Sequence, residues 1–225
     1  MSREKTGARH SLLLAAACCA GMAVVDGVIR PPYGVKSAIK IVLFLALPLL
    51  LRKAVPPHKL LRARKQGLLT ALGLGLGVYG VILGAYFLIS GLGWYDFSGI
   101  VEQLSANAGV NRGNFLAVSL YISFVNSLLE EYFFRGFLFG ELKPLSPAVR
   151  WGACCSLFAL YHVAMMTGWF SPALFALAMA GLAAGAAIFH WLNLRYDTLL
   201  VSWLVHMFAN FAINTVGFIL FSQTV

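Results

Sequence analysis

The sequence predicts an all-α protein, a polytopic transmembrane helix bundle of about seven spans, with six to eight as the expected range. Of the 225 residues, 60% are hydrophobic and only 11% are charged, whereas soluble domains are roughly 45–50% apolar. The mean hydropathy is +0.81. The apolar residues form long runs, and most runs reach the ~17–25 residues that a helix needs to cross the hydrocarbon core.

The spans are expected where the apolar runs lie, namely at 11–29, 35–51, 67–93, 114–140, 149–170, 172–192 and 198–221. The connections between them are too short for a second folded unit. We therefore expect one transmembrane domain over 1–225, with the N-terminal spans in 1–113 and the catalytic core spans in 114–221.

The charges between the runs predict the topology. A net charge of +9 favours nucleic acid as a partner in a soluble chain, but here the basic residues flank membrane spans, as the positive-inside rule predicts. We expect no nucleic acid partner. The stretch RKAVPPHKLLRARK at 52–65 is the densest basic cluster, so this loop is expected in the cytoplasm.

Alternation from that loop places the N-terminus, the 141–150 loop and Arg195 inside, and the 94–113 loop outside. One loop contradicts the scheme, because residues 30–40 would also face out and yet carry three basic residues, Arg30, Lys36 and Lys40.

Glycines recur four residues apart in the third and sixth runs, in the pairs Gly73 and Gly77, Gly80 and Gly84, and Gly181 and Gly185. Such spacing creates a smooth face on which another helix packs closely. A phosphate-binding loop is disfavoured, since the G-K-[ST] sequence is absent and no strand is expected before these glycines. We therefore predict helix packing at these glycines.

The fourth run, which contains SLLEEYFFRGFLF at 127–139, holds three charges among leucines and phenylalanines. Each Glu or Arg at mid-bilayer costs roughly 2.5–3.5 kcal/mol, so the charges need partners or a function. Glu131 and Arg135 lie about 40° apart around a helix and can pair, whereas Glu130 points about 140° away from Arg135. Glu130 is therefore the candidate reactive carboxylate, and Asn126, one turn earlier, can hydrogen-bond to it.

Two later runs each place a histidine in apolar surroundings, at His162 and at His206. Ser202, His206, Asn210 and Asn214 follow one another at helical spacing, and such a polar stripe must face the bundle interior. One carboxylate, two imidazoles and an amide on three spans indicate a hydrolytic or proton-transfer site.

These residues carry a resemblance to a known family. EEYFFR fits the pattern E-E-x-x-x-R, FALYH fits F-x-x-x-H, and HMFAN fits H-x-x-x-N. In this order and on separate helices, the three motifs resemble those of the CPBP family, which comprises type II CAAX prenyl endopeptidases and bacterial bacteriocin-processing and immunity-related membrane proteins. The resemblance covers about 118–215.

The resemblance implies a glutamate-dependent intramembrane endopeptidase without a metal cofactor. It gives Glu130 the role of general base on water, His162 that of holding or polarising the water, and His206 with Asn210 that of stabilising the oxyanion. Glu131, Arg135 and Asn126 would support the site.

The expected partners are a membrane-anchored protein or peptide as substrate, and the lipid bilayer. The expected location is a multi-pass position in the bacterial inner (cytoplasmic) membrane.

Two other readings stay open at the level of sequence. Glu130, His162 and His206 can also be read as three ligands of a zinc peptidase, although the sequence contains no H-E-x-x-H. Intramembrane Glu and His residues also serve proton relays, so a proton-coupled transporter or a non-catalytic immunity or binding protein is the second alternative.

Overall fold

The computed structural model describes residues 2–51, 60, 62 and 64–223. We number eight helices: α1 (Ser2–Val24, continued by a π-helical turn Val25–Ile29), α2 (Tyr33–Ile41, Val42–Ala46 and Leu47–Leu51 in sequence), α3 (Lys65–Gly91), α4 (Gly99–Ala108), α5 (115–141), α6 (Pro147–Tyr161 and Val163–Met166), α7 (Pro172–Tyr196) and α8 (Leu199–Gln223). No strand occurs among these residues, which confirms the all-α prediction.

Six of the helices, all except α4 and α5, are long and apolar enough to cross a membrane. The continuous helix α5 has the length of a span but carries the three charges predicted to form the site. The protein is therefore an integral membrane helix bundle, and the observed helices follow the seven apolar runs of the sequence.

The backbone of α5 changes its winding twice around the glutamates. A π-helical turn at Ile122–Asn126 precedes the α-helical segment Ser127–Glu131, and a second π-helical stretch at Tyr132–Leu138 follows it. Such turns are rare and are found frequently at functional sites. Glu130 and Glu131 thus lie in one short α-helical segment between two widened turns, at the centre of the bundle.

Helices α6 and α7, which follow α5, each begin with a serine whose side chain caps the helix N-terminus. Ser146 precedes Pro147 at the start of α6, and Ser171 precedes Pro172 at the start of α7; each serine oxygen accepts from the backbone N–H three residues later. Proline at the first helical position is favoured because its missing N–H has no helical partner there.

Different segments of the chain pack together at the two ends of the bundle. At one end Ser11 donates a hydrogen bond to Glu141 (2.9 Å), so the N-terminal helix and the 141–150 loop lie together. At the other end α4 packs with the ends of α3 and α8 in a cluster that includes Ile100 and Leu220. The segments that lie together at each end are those that the charges predict on the same side of the membrane.

Two of the three basic residues at 30–40 no longer oppose that topology, because the loop there is shorter than expected. Helix α2 begins at Tyr33, so Lys36 and Lys40 both lie inside a span. Lys36 forms an ion pair with Asp26 (2.7 Å), and Lys40 is 4% exposed. In the basic cluster at 52–65, residues 52–59, 61 and 63 lie outside the described residues.

Within the described residues the paired glycines do not pack against another helix, contrary to the prediction. An added Cβ at any of the six would meet no described atom within 4 Å. The close approaches occur instead at Gly67 and Gly75 of α3, which face α8, and at Gly217 of α8, which faces Phe115. A Cβ on Gly75 would lie 2.3 Å from the ring of Phe208, so this glycine permits the packing of α3 on α8.

Candidate active site

Glu130 lies at the centre of the candidate site and is 2% exposed. One of its carboxylate oxygens, Oε1, receives three hydrogen bonds. Lys40 Nζ donates from 2.5 Å, Asn126 Nδ2 from 2.9 Å and the Tyr161 hydroxyl from 3.2 Å. The expected contact between Asn126 and Glu130 is therefore present, one helical turn apart on α5.

The other carboxylate oxygen, Oε2, faces both predicted histidines. His206 Nε2 lies 3.6 Å away and His162 Nε2 lies 4.0 Å away. These distances exceed a direct hydrogen bond, whereas they suit groups bridged by a water molecule. The structure thus brings together on three helices the carboxylate and the two imidazoles that the sequence singled out.

The orientation of His162 is fixed by the turn of helix that carries it. Its Nδ1 lies 2.7 Å from the carbonyl oxygen of Phe158, and because a carbonyl only accepts, Nδ1 is the donor. In the neutral ring, Nε2 then presents a lone pair toward Glu130. The F-x-x-x-H pattern therefore reflects a hydrogen bond within α6 as well as the contact of the Phe158 ring with the imidazole (4.9 Å between centroids).

Glu131 has two partners rather than the one expected. Its Oε1 lies 3.4 Å from Arg135 Nη1, as the i,i+4 spacing predicts, and it also accepts a 3.0 Å hydrogen bond from His206 Nδ1. The second contact links α5 to α8. Glu131 therefore orients a ring of the site, in addition to compensating the charge of Arg135.

Aromatic rings surround Arg135, which is 2% exposed. Its ion pair with Glu131 lacks the alignment of a hydrogen bond, and none of its guanidinium nitrogens has a hydrogen-bond partner within the described residues. The guanidinium carbon lies 4.3 Å from the ring centre of Phe158 and 4.9 Å from that of Phe189. These cation–π contacts compensate part of the cost of burying the charge. Phe189 also stacks on His206 (5.0 Å between ring centroids).

The polar stripe on α8 faces the bundle interior, as predicted. All four of its side chains, Ser202, His206, Asn210 and Asn214, are buried. Asn214 Nδ2 donates to the carbonyl of Ser119 (3.1 Å) and to the hydroxyl of Ser123 (3.0 Å), and Asn210 Nδ2 donates to the carbonyl of Ile122 (3.1 Å). Asn210 thus binds α5 at the first residue of its π-helical turn, about two turns before Glu130.

Sequence reasoning missed Lys40 and Tyr161. Lys40 was assigned to an external loop, and Tyr161 adjoins His162 in the FALYH motif without a role in it. Lys40 lies near the start of an apolar run, where a lysine that flanks a span is also expected, so the sequence held no distinguishing signal for it. Its partner Glu130 lies 90 residues away, so only the fold joins them.

The described residues contain no group of three His, Cys, Asp or Glu side chains arranged to hold a metal ion. A buried ammonium, that of Lys40, donates to one oxygen of the Glu130 carboxylate. A divalent ion on the other oxygen would lie close to that positive charge.

Comparison with known proteins gives one match. Residues 112–212 match the sequence model of the family described as type II CAAX prenyl endopeptidase Rce1-like. No curated protein and no solved structure matches the chain. The matched segment contains all three motifs and the helices α5, α6, α7 and part of α8, whereas α1 to α4 lie outside it.

The matched family is one of proteases, so the match indicates an intramembrane hydrolase of the CAAX-protease type that acts on protein or peptide substrates in a membrane. It also confirms the resemblance to the CPBP family that the three motifs carry. Residues 112–212 are thus similar to the Rce1-like type II CAAX prenyl endopeptidases, and this similarity supports the assignment of the three motifs to the CPBP family.

Proposed function

We propose that the protein is an intramembrane endopeptidase in which Glu130 is the general base that activates water for hydrolysis of a peptide bond. One observation carries the proposal: Oε2 of Glu130 faces His206 Nε2 at 3.6 Å and His162 Nε2 at 4.0 Å, while Oε1 is engaged by other donors. A water between these three atoms is held by groups that can both orient it and take its proton.

The first step is attack by water on the carbonyl carbon of the scissile peptide. As the new carbon–oxygen bond forms, one water proton moves to Glu130 Oε2, and the lone pair on His162 Nε2 accepts a hydrogen bond from the other. The tetrahedral intermediate then collapses, the carbon–nitrogen bond breaks, and the proton held by Glu130 passes to the leaving amine. Atoms and charges balance without a further reagent.

The oxyanion of the intermediate needs donors placed beside the attacked carbonyl. His206 supplies an Nε2–H in its imidazolium form, with Nδ1–H held by Glu131 (3.0 Å). Asn210 has two N–H groups on Nδ2, of which the carbonyl of Ile122 takes one, so the other is available to the oxyanion.

The same residues distinguish this proposal from a proton relay or an immunity protein. A relay needs the carboxylate and the imidazoles but no amide donor beside His206, whereas an oxyanion site needs both donors. Under the proposal the substrate is a membrane-associated protein or peptide, and the enzyme resides in the bacterial inner membrane without a metal cofactor.

The test uses the purified protein in lipid nanodiscs with three kinds of peptide: a prenylated C-terminal peptide, a leader peptide and a membrane-anchored sorting tail. Mass spectrometry would detect and locate cleavage. Glu130→Gln is expected to lower the cleavage rate by about 10²–10⁴-fold for whichever class of peptide the wild-type protein cuts. Glu102→Gln, at an exposed position on α4, is the matched control and should cleave at the wild-type rate. Cleavage by Glu130→Gln at the control rate would refute the proposal and favour a binding role.

A further inference from the structure

Lys40 has a place in the site that the motifs do not assign. Its ammonium group is buried, and its three N–H donors meet three acceptors: Asn126 Oδ1, Glu130 Oε1 (2.5 Å) and the Tyr161 hydroxyl. An ammonium group has three donors and no acceptor. All of its hydrogen-bonding capacity is therefore directed at this one cluster.

The hydrogen bonds of the cluster have mutually consistent directions. Asn126 accepts from Lys40 through Oδ1 and donates to Glu130 through Nδ2. The Tyr161 hydroxyl accepts from Lys40 and donates its proton to the same Glu130 oxygen. Oε1 is thus bound by three donors, and only Oε2 remains for the two histidines. The network selects which oxygen can act as the base.

Helix α2 places Lys40 through a packed aromatic anchor. Phe44, one turn after Lys40, is fully buried and stacks on Phe133 of α5 with ring centroids 4.1 Å apart. The ammonium also lies 4.8 Å from the ring centre of Tyr161. α2 lies outside the segment that matches the family, so a helix beyond that segment completes the charge balance of the site.

We propose that Lys40 is a positioning residue for Glu130, holding Oε1 so that Oε2 is presented to water between His162 and His206. This inference rests on the proposed role of Glu130 as the base. Without Lys40, the carboxylate loses its charged donor and can rotate about its terminal bond, which moves the basic oxygen away from the water. A misplacement of about 1 Å can cost ~10²-fold in rate.

The test compares Lys40→Met with Lys36→Met in steady-state cleavage assays on the full-length protein in nanodiscs. Lys36 is the matched control, because it is a lysine one turn earlier on the same helix, paired with Asp26 rather than with the site. Lys40→Met is expected to lower kcat by about 10²-fold with KM unchanged. Lys36→Met should keep the wild-type kcat, even if its Tm falls.

A readout independent of cleavage comes from thermal unfolding. Lys40→Met should lower Tm in the wild-type background, where it leaves a buried carboxylate unpaired, and lower it clearly less in the Glu130→Gln background. Equal Tm shifts in both backgrounds would show that the two side chains are not coupled, and would overturn the proposal even if activity fell.

The two proposals fail in different ways. If Glu130→Gln is inactive while Lys40→Met keeps the wild-type kcat, the role of Lys40 is refuted and that of Glu130 stands. If Glu130→Gln still cleaves, the base assignment fails, and the positioning role fails with it. If Lys40→Met does not accumulate as folded protein, Tyr161→Phe is measured instead, because it removes one hydrogen-bond donor to Glu130 Oε1. This variant is expected to lower kcat at unchanged KM. An unchanged kcat would overturn the proposal.

Discussion

The two adjacent glutamates have different surroundings. Glu130 is held by neutral and charged donors on Oε1 and turns Oε2 to the histidines, whereas Glu131 lies between Arg135 and His206. The buried guanidinium of Arg135 forms an ion pair with Glu131 and otherwise contacts the faces of phenylalanine rings. Replacing one or the other glutamate should therefore have different effects.

Glu131→Gln is expected to destabilise the protein more than Glu130→Gln. It leaves the buried Arg135 without a counter-charge, and breaking a buried ion pair typically costs about 3–5 kcal/mol. Glu130→Gln also removes a counter-charge, that of Lys40, but this ammonium keeps its hydrogen bonds to Asn126 and to the Tyr161 hydroxyl, whereas the guanidinium of Arg135 has no hydrogen-bond partner within the described residues. Thermal unfolding of both variants in the same lipid measures the difference. Equal losses of Tm would contradict the division between the two glutamates.

His206→Ala is expected to lower kcat by about 10²–10³-fold, the usual effect of losing one oxyanion donor. Asn214→Ala is the matched control on the same stripe. Asn214 binds only α5 through Ser119 and Ser123 in the hydrogen bonds described, so its loss should reduce the folded fraction without lowering kcat per folded molecule. A similar fall in kcat for both variants would mean that the stripe acts through packing alone.

At the scale of helices, the sequence predicted the positions of the spans but not their winding or their contacts. The apolar runs predict helices because only internally hydrogen-bonded segments can cross a bilayer. The π-helical turns in α5 have no comparable signature, since residue type does not distinguish them from an α-helix. The angle estimated between Glu130 and Glu131 still holds because the two glutamates share a short α-helical segment. Arg135 lies in the π-helical stretch that follows, so the α-helical angles do not extend to it, although its contact with Glu131 is present.

Glycine spacing illustrates what a local pattern leaves undetermined. The four-residue repeats in α3 lie on a face that meets no other part of the described chain, and the contact with α8 uses Gly67 and Gly75 instead. Spacing alone identifies smooth faces, whereas the tertiary fold decides which face is used.

Gly75→Ala and Gly77→Ala are accordingly expected to have opposite effects on stability. In a helix, alanine is normally favoured over glycine by roughly 0.5–1 kcal/mol, and at Gly77 the new methyl group meets no atom within 4 Å. At Gly75 it would lie 2.3 Å from the ring of Phe208, and such overpacking typically costs 1–3 kcal/mol, about enough to reverse the gain. Thermal unfolding of the pair checks this, and a stabilising Gly75→Ala would show that α3 does not pack on α8 in this way.

At the scale of the whole molecule, the motifs predicted which side chains converge, and the fold supplied the rest. Glu130, His162 and His206 could be grouped from sequence because intramembrane polar residues must face one another rather than lipid. Lys40 could not be added to them, because nothing local distinguishes a buried lysine from one that flanks a span. The division into 1–113 and 114–221 remains a prediction, although the contribution of α2 to the site shows that the N-terminal spans take part in it.

The central claim is that one carboxylate, without a metal ion, activates water for peptide hydrolysis. The measurement that tests it most directly is the single-turnover cleavage rate of metal-depleted protein under strong chelation, with metal content determined on the same sample, for the wild-type protein and for Glu130→Gln. The account predicts an undiminished rate for the chelated wild-type protein and no cleavage by Glu130→Gln. Loss of wild-type cleavage on chelation, restored by stoichiometric zinc, would contradict it.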